Sequence, residues 1–222
     1  MDRATWLREI RRKAEADFDT RRSATYDAEA EPMTSIHRRF VRRVVRTAPV
    51  GGTVLDAACG TGKYFGIVFS ARRKVVGVDR STGMLGQAQQ KYPAAELIHM
   101  SLQELDLERT FDGVMCIDAM ENVPPEDWPT VLANLHRALK SDGMLYLTVE
   151  EHAQADIDAA NADALARGLP VVPGEILFHG SDYHFAPTRQ QVADWVANEG
   201  LAVIEEADSP GDGYRYWHLL MR

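Results

Sequence analysis

The residues best suited to chemistry begin where a short apolar run ends in glycine. Val54-Leu-Asp-Ala-Ala-Cys-Gly-Thr-Gly62 reads as a buried strand entering a turn, with Gly60 and Gly62 at its bend. Glycine permits positive φ there and lets a ligand approach the backbone with no Cβ in the way. A helix that follows such a turn aims its free N–H groups at the ligand. Seventeen residues after Gly62, Asp79 closes a second apolar run, Val75-Val-Gly-Val-Asp79. A carboxylate at that strand end can accept hydrogen bonds from both hydroxyls of a ribose, and it is equally suited to the helix start beside Ser81.

Spacing separates the chemistries that use such a turn. A dinucleotide fingerprint requires G-x-G-x-x-G, but Phe65 stands at the third glycine and Gly66 comes one place late. A triphosphate loop requires G-x-x-x-x-G-K-[ST]. Gly62-Lys63 matches its end, yet Ala57 replaces the first glycine and Tyr64 the hydroxyl.

The elements that must hold these residues follow from hydrophobic period. Trp6, Leu7, Ile10, Ala14 and Phe18 form one helical stripe. A polar break from Ser23 to Pro32 follows, then Ile36, Phe40, Val41, Val44 and Val45 mark a second helix. Strands are expected at 53–57, 74–79, 96–100, 111–117, 144–149, 201–206 and 214–221. Helices are expected between them at 62–71, 81–91, 127–140, 152–167 and 188–198, the last opened by a capping box at Thr188 and Gln191. Alternation of this kind predicts an α/β fold, a Rossmann-like and mostly parallel sheet with helices on both faces. Ligands of such sheets bind at the carboxyl ends of the strands.

Composition excludes several classes. The 222 residues are 45% hydrophobic and 26% charged, ordinary values for a globular chain. Net charge is −8, and its distribution is uneven: residues 1–50 carry twelve Lys/Arg against eight Asp/Glu, and the rest thirteen against twenty-five. That acidity argues against a nucleic-acid partner, which needs unopposed cations. Two cysteines, Cys59 and Cys116, exclude a disulfide framework and a four-cysteine zinc site. The charged N-terminus lacks the apolar core of a secretory signal, and no apolar run reaches 18 residues, so a cytoplasmic location with no membrane span is expected. The histidines, at 37, 99, 136, 152, 179, 184 and 218, show no helical i,i+4 pair and no clustering with cysteine, and no metal is expected.

Asp56-x-x-Cys59-Gly60-x-Gly62 resembles the first motif of class I S-adenosylmethionine-dependent methyltransferases, with Ala58 at the family's first glycine. Three further segments resemble that family in the right order. Arg80-Ser-Thr-Gly-Met-Leu85 is similar to the stretch after the acidic residue. The segment 111–123 is similar to F-D-x-V-x-x-x-x-x-L-E-H-V, with Asn122 where histidine is frequent, and 132–145 is similar to the helix and turn before the fifth strand. The likeness runs from about residue 33 to the end. It is greatest to the small-molecule branch, which methylates quinone precursors and bacterial secondary metabolites.

The resemblance implies strand order 3-2-1-4-5-7-6 with the last strand antiparallel, and a helical lid at 1–32 on a methyltransferase domain at 33–222. It implies S-adenosylmethionine as cofactor and S-adenosylhomocysteine as product. The cofactor site it implies comprises Asp56, Ala57, Ala58, Gly60 and Gly62 at the turn, Asp79 at the ribose, and Arg80 and Met84 near adenine. Ser101, Leu102 and Gln103 would meet adenine's amino edge, where the family usually has Asp. Cys116, Ile117 and Asp118 would end the fourth strand, and Tyr26 and Arg38 would reach the methionine part.

Methyl transfer is an in-line displacement that positioning and exclusion of water accelerate by themselves. A protonated acceptor adds the need for a base. The candidates are Tyr26, Glu150, His179 and His184, with Glu121, Asn122 and Tyr183 as substrate-binding residues; 170–187 is expected as a long loop. Its aromatic residues favour a flat small-molecule acceptor such as an indole or phenol. Two alternatives stand beside this reading. Asn122-Val-Pro-Pro-Glu126 resembles the Asn-Pro-Pro-aromatic loop of adenine methyltransferases, but Val123 interrupts it and Glu126 cannot stack on a flipped base. The other is a non-catalytic cofactor-binding protein. A homodimer is left open. Asp79→Ala is expected to weaken cofactor binding by about 1–3 kcal/mol through two lost hydrogen bonds, read by calorimetry; unchanged affinity refutes the ribose role.

Overall fold

The computed structural model describes residues 1–30, 32–107, 110–178 and 182–222. Its centre is β1 (Thr53–Ala57), flanked by β2 (Lys74–Asp79) and β4 (Phe111–Cys116), with β3 (Glu96–His99) outside β2. β5 (Leu139–Glu151) follows β4, and a separate hairpin of β6 (Glu175–Phe178) and β7 (Asp182–Phe185) lies off the sheet. β8 (Val203–Pro210) and β9 (Arg215–Met221) complete the seven-stranded order β3-β2-β1-β4-β5-β9-β8, in which β9 runs antiparallel to both neighbours. This is the expected topology, with the hairpin inserted before its last two strands.

Adjacent residues in the central strands feed opposite faces, as a period of two requires. Leu55, Val76, Val114, Leu145 and Leu219 enter one core with Trp128, Val131 and Leu132. Val54, Val75, Met115, Tyr146 and Leu220 enter the other with Phe40, Val41, Val44, Phe65 and Val68. Burial on both faces explains why these strands read as continuous apolar runs.

The helices around the sheet are α1 (Arg3–Asp17), α2 (Ser23–Glu29), α3 (Ser35–Thr47), α4 (Phe65–Ser70), α5 (Thr82–Lys91), α6 (Trp128–Arg137), α7 (Gln154–Ala166) and α8 (Arg189–Asn198). Their starts follow local chemistry. The Thr34 hydroxyl accepts from the His37 N–H at 3.2 Å, the Ser81 hydroxyl from the Met84 N–H at 3.1 Å, and Thr188 and Gln191 form the expected capping box.

Two expectations fail. The polar break at 23–32 is helical as far as Glu29, because a π-helical turn at Phe18–Arg22 joins α1 to α2. That wider turn brings the Asp19 carboxylate to the Ser81 hydroxyl at 2.7 Å and the Gly83 N–H at 3.1 Å, contacts no sequence period reports. The loop expected at 170–187 contains the β6–β7 hairpin, whose alternation of buried Ile176, Tyr183 and Phe185 is masked by nearby proline and glycine.

α3 reaches the sheet only because β4 has glycine beneath it. A Cβ at Gly113 would lie 2.5 Å from Val44 Cγ1 and 3.3 Å from the Val44 carbonyl. Gly113→Ala is expected to lower stability by about 1–3 kcal/mol by lifting α3, measured by urea unfolding. An unchanged midpoint would show that the helix can move aside freely.

Candidate cofactor and acceptor site

At the carboxyl end of β1 the chain enters the left-handed region three times, at Ala58 (φ +63°), Gly60 (φ +52°) and Gly62 (φ +78°). The Cys59 N–H donates to the Val78 carbonyl and the Gly60 N–H to Asp79 Oδ2, at 2.9 and 2.8 Å. Asp79 Oδ1 accepts from the Ser81 N–H at 2.9 Å, so one carboxylate ties the turn to the start of α5. The two glycines serve different ends. A Cβ on Gly60 would meet nothing within 4 Å, and Gly60 lines the open cleft. One on Gly62 would strike the Phe65 ring at 2.8 Å. Ala58 holds positive φ with a side chain, at a cost of about 1–3 kcal/mol that the surrounding contacts must offset.

Above the turn lies a cleft. Its floor includes Ala58, Gly60, Asp79, Arg80, Met84, Ser101, Leu102 and Gln103. Leu7, Ile10, Ala14 and Phe18 of the N-terminal helical stripe form its roof with Tyr26, and Asp118, Asn122, Tyr183 and His184 close one end. The roof is tied down by charge. Arg3 pairs with Glu126 and Glu175, Arg11 with Asp127, and Arg22 with Asp182. Asp27 accepts from the Thr61 hydroxyl at 2.5 Å and pairs with Lys91 at 2.6 Å.

The sheet end beneath the cleft is rich in buried carboxylates. Burial, then the charges of Asp79 and Asp118, push Asp56 up to about 8. Burial acts on Asp118 in the same sense, but His37, Lys63 and Tyr64 outweigh it and hold its pKa below the usual carboxylate range. The Tyr64 hydroxyl donates to Asp118 Oδ2 at 3.1 Å, with Lys63 Nζ 3.4 Å from the same atom and His37 Nε2 3.5 Å from Oδ1. Burial and then Glu150 push Glu121 well up. Burial would also raise Glu150, yet hydrogen bonds from His152 and His184 keep it below its ordinary value. Tyr26 is raised, first by burial and then by Asp118, Glu121, Asp79 and Asp27, and stays a neutral phenol.

Most of the expected residues meet at this cleft, and several do not. Arg38 is exposed and donates to the Met33 carbonyl at 3.3 Å, away from the cleft. Its neighbour His37 is the residue of α3 that points inward, toward Asp118. The helical period places the two on different sides, a distinction that proximity in sequence hides. Ala57, Cys116 and Ile117 are buried in the sheet behind the cleft, where they contribute backbone and packing. The Tyr183 ring lines the cleft, but its hydroxyl donates to Glu175 at 2.6 Å and does not face an acceptor. The Ser101 hydroxyl donates to Glu104 at 2.7 Å, leaving it able to accept only. His179 lies outside the described residues. Sequence reasoning missed His37, Asp19, Asp27, Lys63 and Tyr64, whose partners in the site are 34 to 81 residues away in sequence and carry no local pattern.

Two histidines far apart in sequence, His152 and His184, meet in space at Glu150. His184 Nδ1 lies 2.9 Å from Glu150 Oε2, and His152 Nε2 lies 3.3 Å from the same oxygen. Asn122 donates to Glu121 Oε1 at 2.9 Å beside them.

Buried Asp56 Oδ2, Asp118 Oδ1 and Glu121 Oε2 have no hydrogen-bond partner among the described residues. Of the three, Asp118 lines the cleft beside the glycine turn with its pKa held low, and an ionised carboxylate there fits a cationic ligand, an ammonium and a sulfonium alike. The methyltransferase-domain family matches residues 54–143, which contain the turn, Asp79, Asp118 and Glu121. Residues 54–143 thus form a methyltransferase domain. The cofactor of that family is S-adenosylmethionine. Demethylmenaquinone methyltransferase of Bacillus licheniformis is 38% identical over 104 residues, 44% of each chain. A ubiquinone/menaquinone biosynthesis C-methyltransferase of Campylobacter jejuni is 30% identical over 144 residues, 60% of each. The chain thus spans less than two thirds of these relatives. The same fold occurs in 1,6-didemethyltoxoflavin-N1-methyltransferase of Burkholderia thailandensis, at TM-score 0.70 and 18% identity over 100% of this chain and 91% of that one. It also occurs in magnesium protoporphyrin IX methyltransferase of Synechocystis, at TM-score 0.69 and 16% identity over 96% and 98%.

The raised pKa of Asp56 makes the methyltransferase domain base-sensitive when empty. Its contribution is fully present below about pH 4 and is lost as pH rises through about 8, because folding must then bury a charge. The melting temperature of the cofactor-free chain is expected to fall between about pH 5 and pH 9, and Asp56→Asn to flatten that fall. Parallel curves would remove Asp56 as its cause.

Proposed function

We propose that this chain transfers a methyl group from S-adenosylmethionine to a small, flat aromatic acceptor, with residues 1–32 as a lid. The observation that carries the reading is one cleft with Asp79 and the glycine turn on its floor and His184 at its end. The cofactor supplies a methyl group already activated on a positive sulfur.

The chain's own residues do the rest. Asp79 spends one lone pair of each oxygen on the Gly60 and Ser81 amides and keeps others for two ribose hydroxyls. Met84, Leu102 and Arg80, which line the cleft beside Asp79, would hold the adenine. Phe18 and Tyr26, with ring centroids 6.5 Å apart, would cover the methionine part and exclude water. Asp118, held by His37, Lys63 and Tyr64, would face the positive end. His184, with Nδ1 against Glu150, offers Nε2 to the acceptor's proton, and ionised Glu150 stabilises the imidazolium that forms. Asn122 and Glu121 lie beside that transfer.

Relatives named for quinone precursors and a structural neighbour holding 1,6-didemethyltoxoflavin support a planar acceptor. Among the described residues no helix is long and apolar enough to cross a membrane.

Calorimetry with S-adenosylhomocysteine is expected to give one site per chain, and absence of binding at millimolar ligand would sink the reading. In a mass-spectrometric screen of hydroquinones, phenols and indoles, at least one is expected to gain a methyl group. His184→Asn is expected to lower that turnover by about 10²–10⁴-fold with cofactor affinity kept, and unaltered turnover removes His184 as the base.

A further inference from the structure

The cluster at the acceptor end of the cleft holds more than a base and its partner. Glu150 and His152 are two residues apart where β5 ends, a spacing that puts both side chains on one side of an extended chain. His184 arrives from β7, on the separate hairpin. A carboxylate oxygen of Glu150 and a ring nitrogen from each of His152 and His184 all lie within 4.8 Å of one another. The carboxylate oxygen is 3.3 Å from one ring nitrogen and 2.9 Å from the other. Ligand atoms of a four-coordinate ion with bonds near 2.0–2.1 Å are about 3.3 Å apart, so small rotations would centre the three on one ion.

The surroundings suit an ion as well. The side chains of Glu150 and His152 are 6% and 7% exposed, and that of His184 is 24% exposed, which leaves the approach on the His184 side. The Phe178 ring stands 5.8 Å from His152 and 5.1 Å from His184, and Tyr214 stands 5.6 Å from His152, walls that keep bulk water off the ligands. The Glu121 carboxyl is close enough to feel the charge of Glu150, and its buried Oε2 has no partner among the described residues. Two imidazoles and a carboxylate suit zinc, and next to it cobalt, iron or manganese, in preference to calcium or magnesium.

We propose that Glu150, His152 and His184 bind a divalent transition-metal ion, zinc fitting best, whose open position takes an oxygen of the acceptor. The acceptor part of this inference rests on the methyl-transfer reading; the ion site itself does not. Loading leaves the proton count of the ligands unchanged. The proton on His184 moves from Nδ1 to Nε2 and that on His152 from Nε2 to Nδ1, while Glu150 stays ionised. An acceptor hydroxyl that binds the ion forms an oxygen–metal bond and releases its proton to water. Loaded His184 is then no base, and the ion takes over its task.

The test uses the whole chain, stripped with a chelator and studied with and without S-adenosylhomocysteine. Zinc is titrated against a chromophoric chelator, and cobalt is followed by its visible absorption. One equivalent of each is expected, with the intense visible bands of low-coordinate cobalt. Glu150→Gln, His152→Gln and His184→Gln are each expected to weaken zinc by about 100-fold or more, beyond the usual effect of outer-shell partners. Circular dichroism and S-adenosylhomocysteine binding report that each variant is folded. No zinc bound at 100-fold excess, or equal affinity in folded variants, overturns the site. Zinc bound without S-adenosylhomocysteine binding upholds the ion site and overturns methyl transfer. The converse result overturns the ion site alone.

Discussion

The hydrogen bond from the Gly60 amide to Asp79 is the contact on which the cleft depends. Parallel pairing of β1 with β2 sets Asp56 beside Gly77 and Ala57 beside Val78, so the two strands end together. β1 must then turn back at once: the Cys59 amide still reaches the Val78 carbonyl, but the Gly60 amide has no strand carbonyl left to meet. Asp79, the last residue of β2, takes the Gly60 amide and also the Ser81 amide that starts α5. The turn also needs room beneath it: a Cβ on Gly77 would lie 2.7 Å from both Cys59 Sγ and Phe65 Cζ. Each piece is local, and together they fix a backbone bend under an open space.

Around that bend the structure concentrates negative charge where burial makes it costly. Neighbouring carboxyls avoid the cost in opposite ways. Asp118 and Glu150 stay ionised because histidines, a lysine and a tyrosine surround them, whereas Asp56 and Glu121, without cations, shift upward. Groups pushed apart in this way mark where a site divides its labour between charge and proton transfer. A ligand carrying positive charge would relieve the burial cost, and electrostatics and shape therefore select for the same kind of occupant.

The roof of the cleft and the β6–β7 hairpin hold each other. Trp6 packs edge-on against Tyr183 at 6.1 Å, Arg3 binds Glu175, which also accepts from Tyr183, and Arg22 binds Asp182. Neither element belongs to the sheet. The half-exposed Arg22–Asp182 pair contributes little, about 0–1 kcal/mol, whereas Glu175 is buried and depends on Arg3 and Tyr183, so the network has one loose tie and one firm one. Ligand entry and release need such a balance.

How far the sequence could be read follows from the range of the interactions. The alternation of strands and helices, the glycine turn, Asp79, the starts of α5 and α8 and the apolar stripe of α1 were legible, because period, capping and turn chemistry act between near neighbours, whereas the strand order came from the family resemblance. The hairpin was not, since its short strands carry too few alternating residues to stand out among proline and glycine. The inward turn of His37 in place of Arg38 depends on how α3 lies on the sheet. The meeting of Glu150, His152 and His184 depends on where a crossover returns the chain. By itself the chain of residues determined which backbone could bend and which faces must be buried, because those are properties of single residues and short spacings. Only the tertiary structure decided which carboxylates would share a cavity and which histidines would answer them, because charge and hydrogen bonding act through space between atoms that sequence separation does not rank.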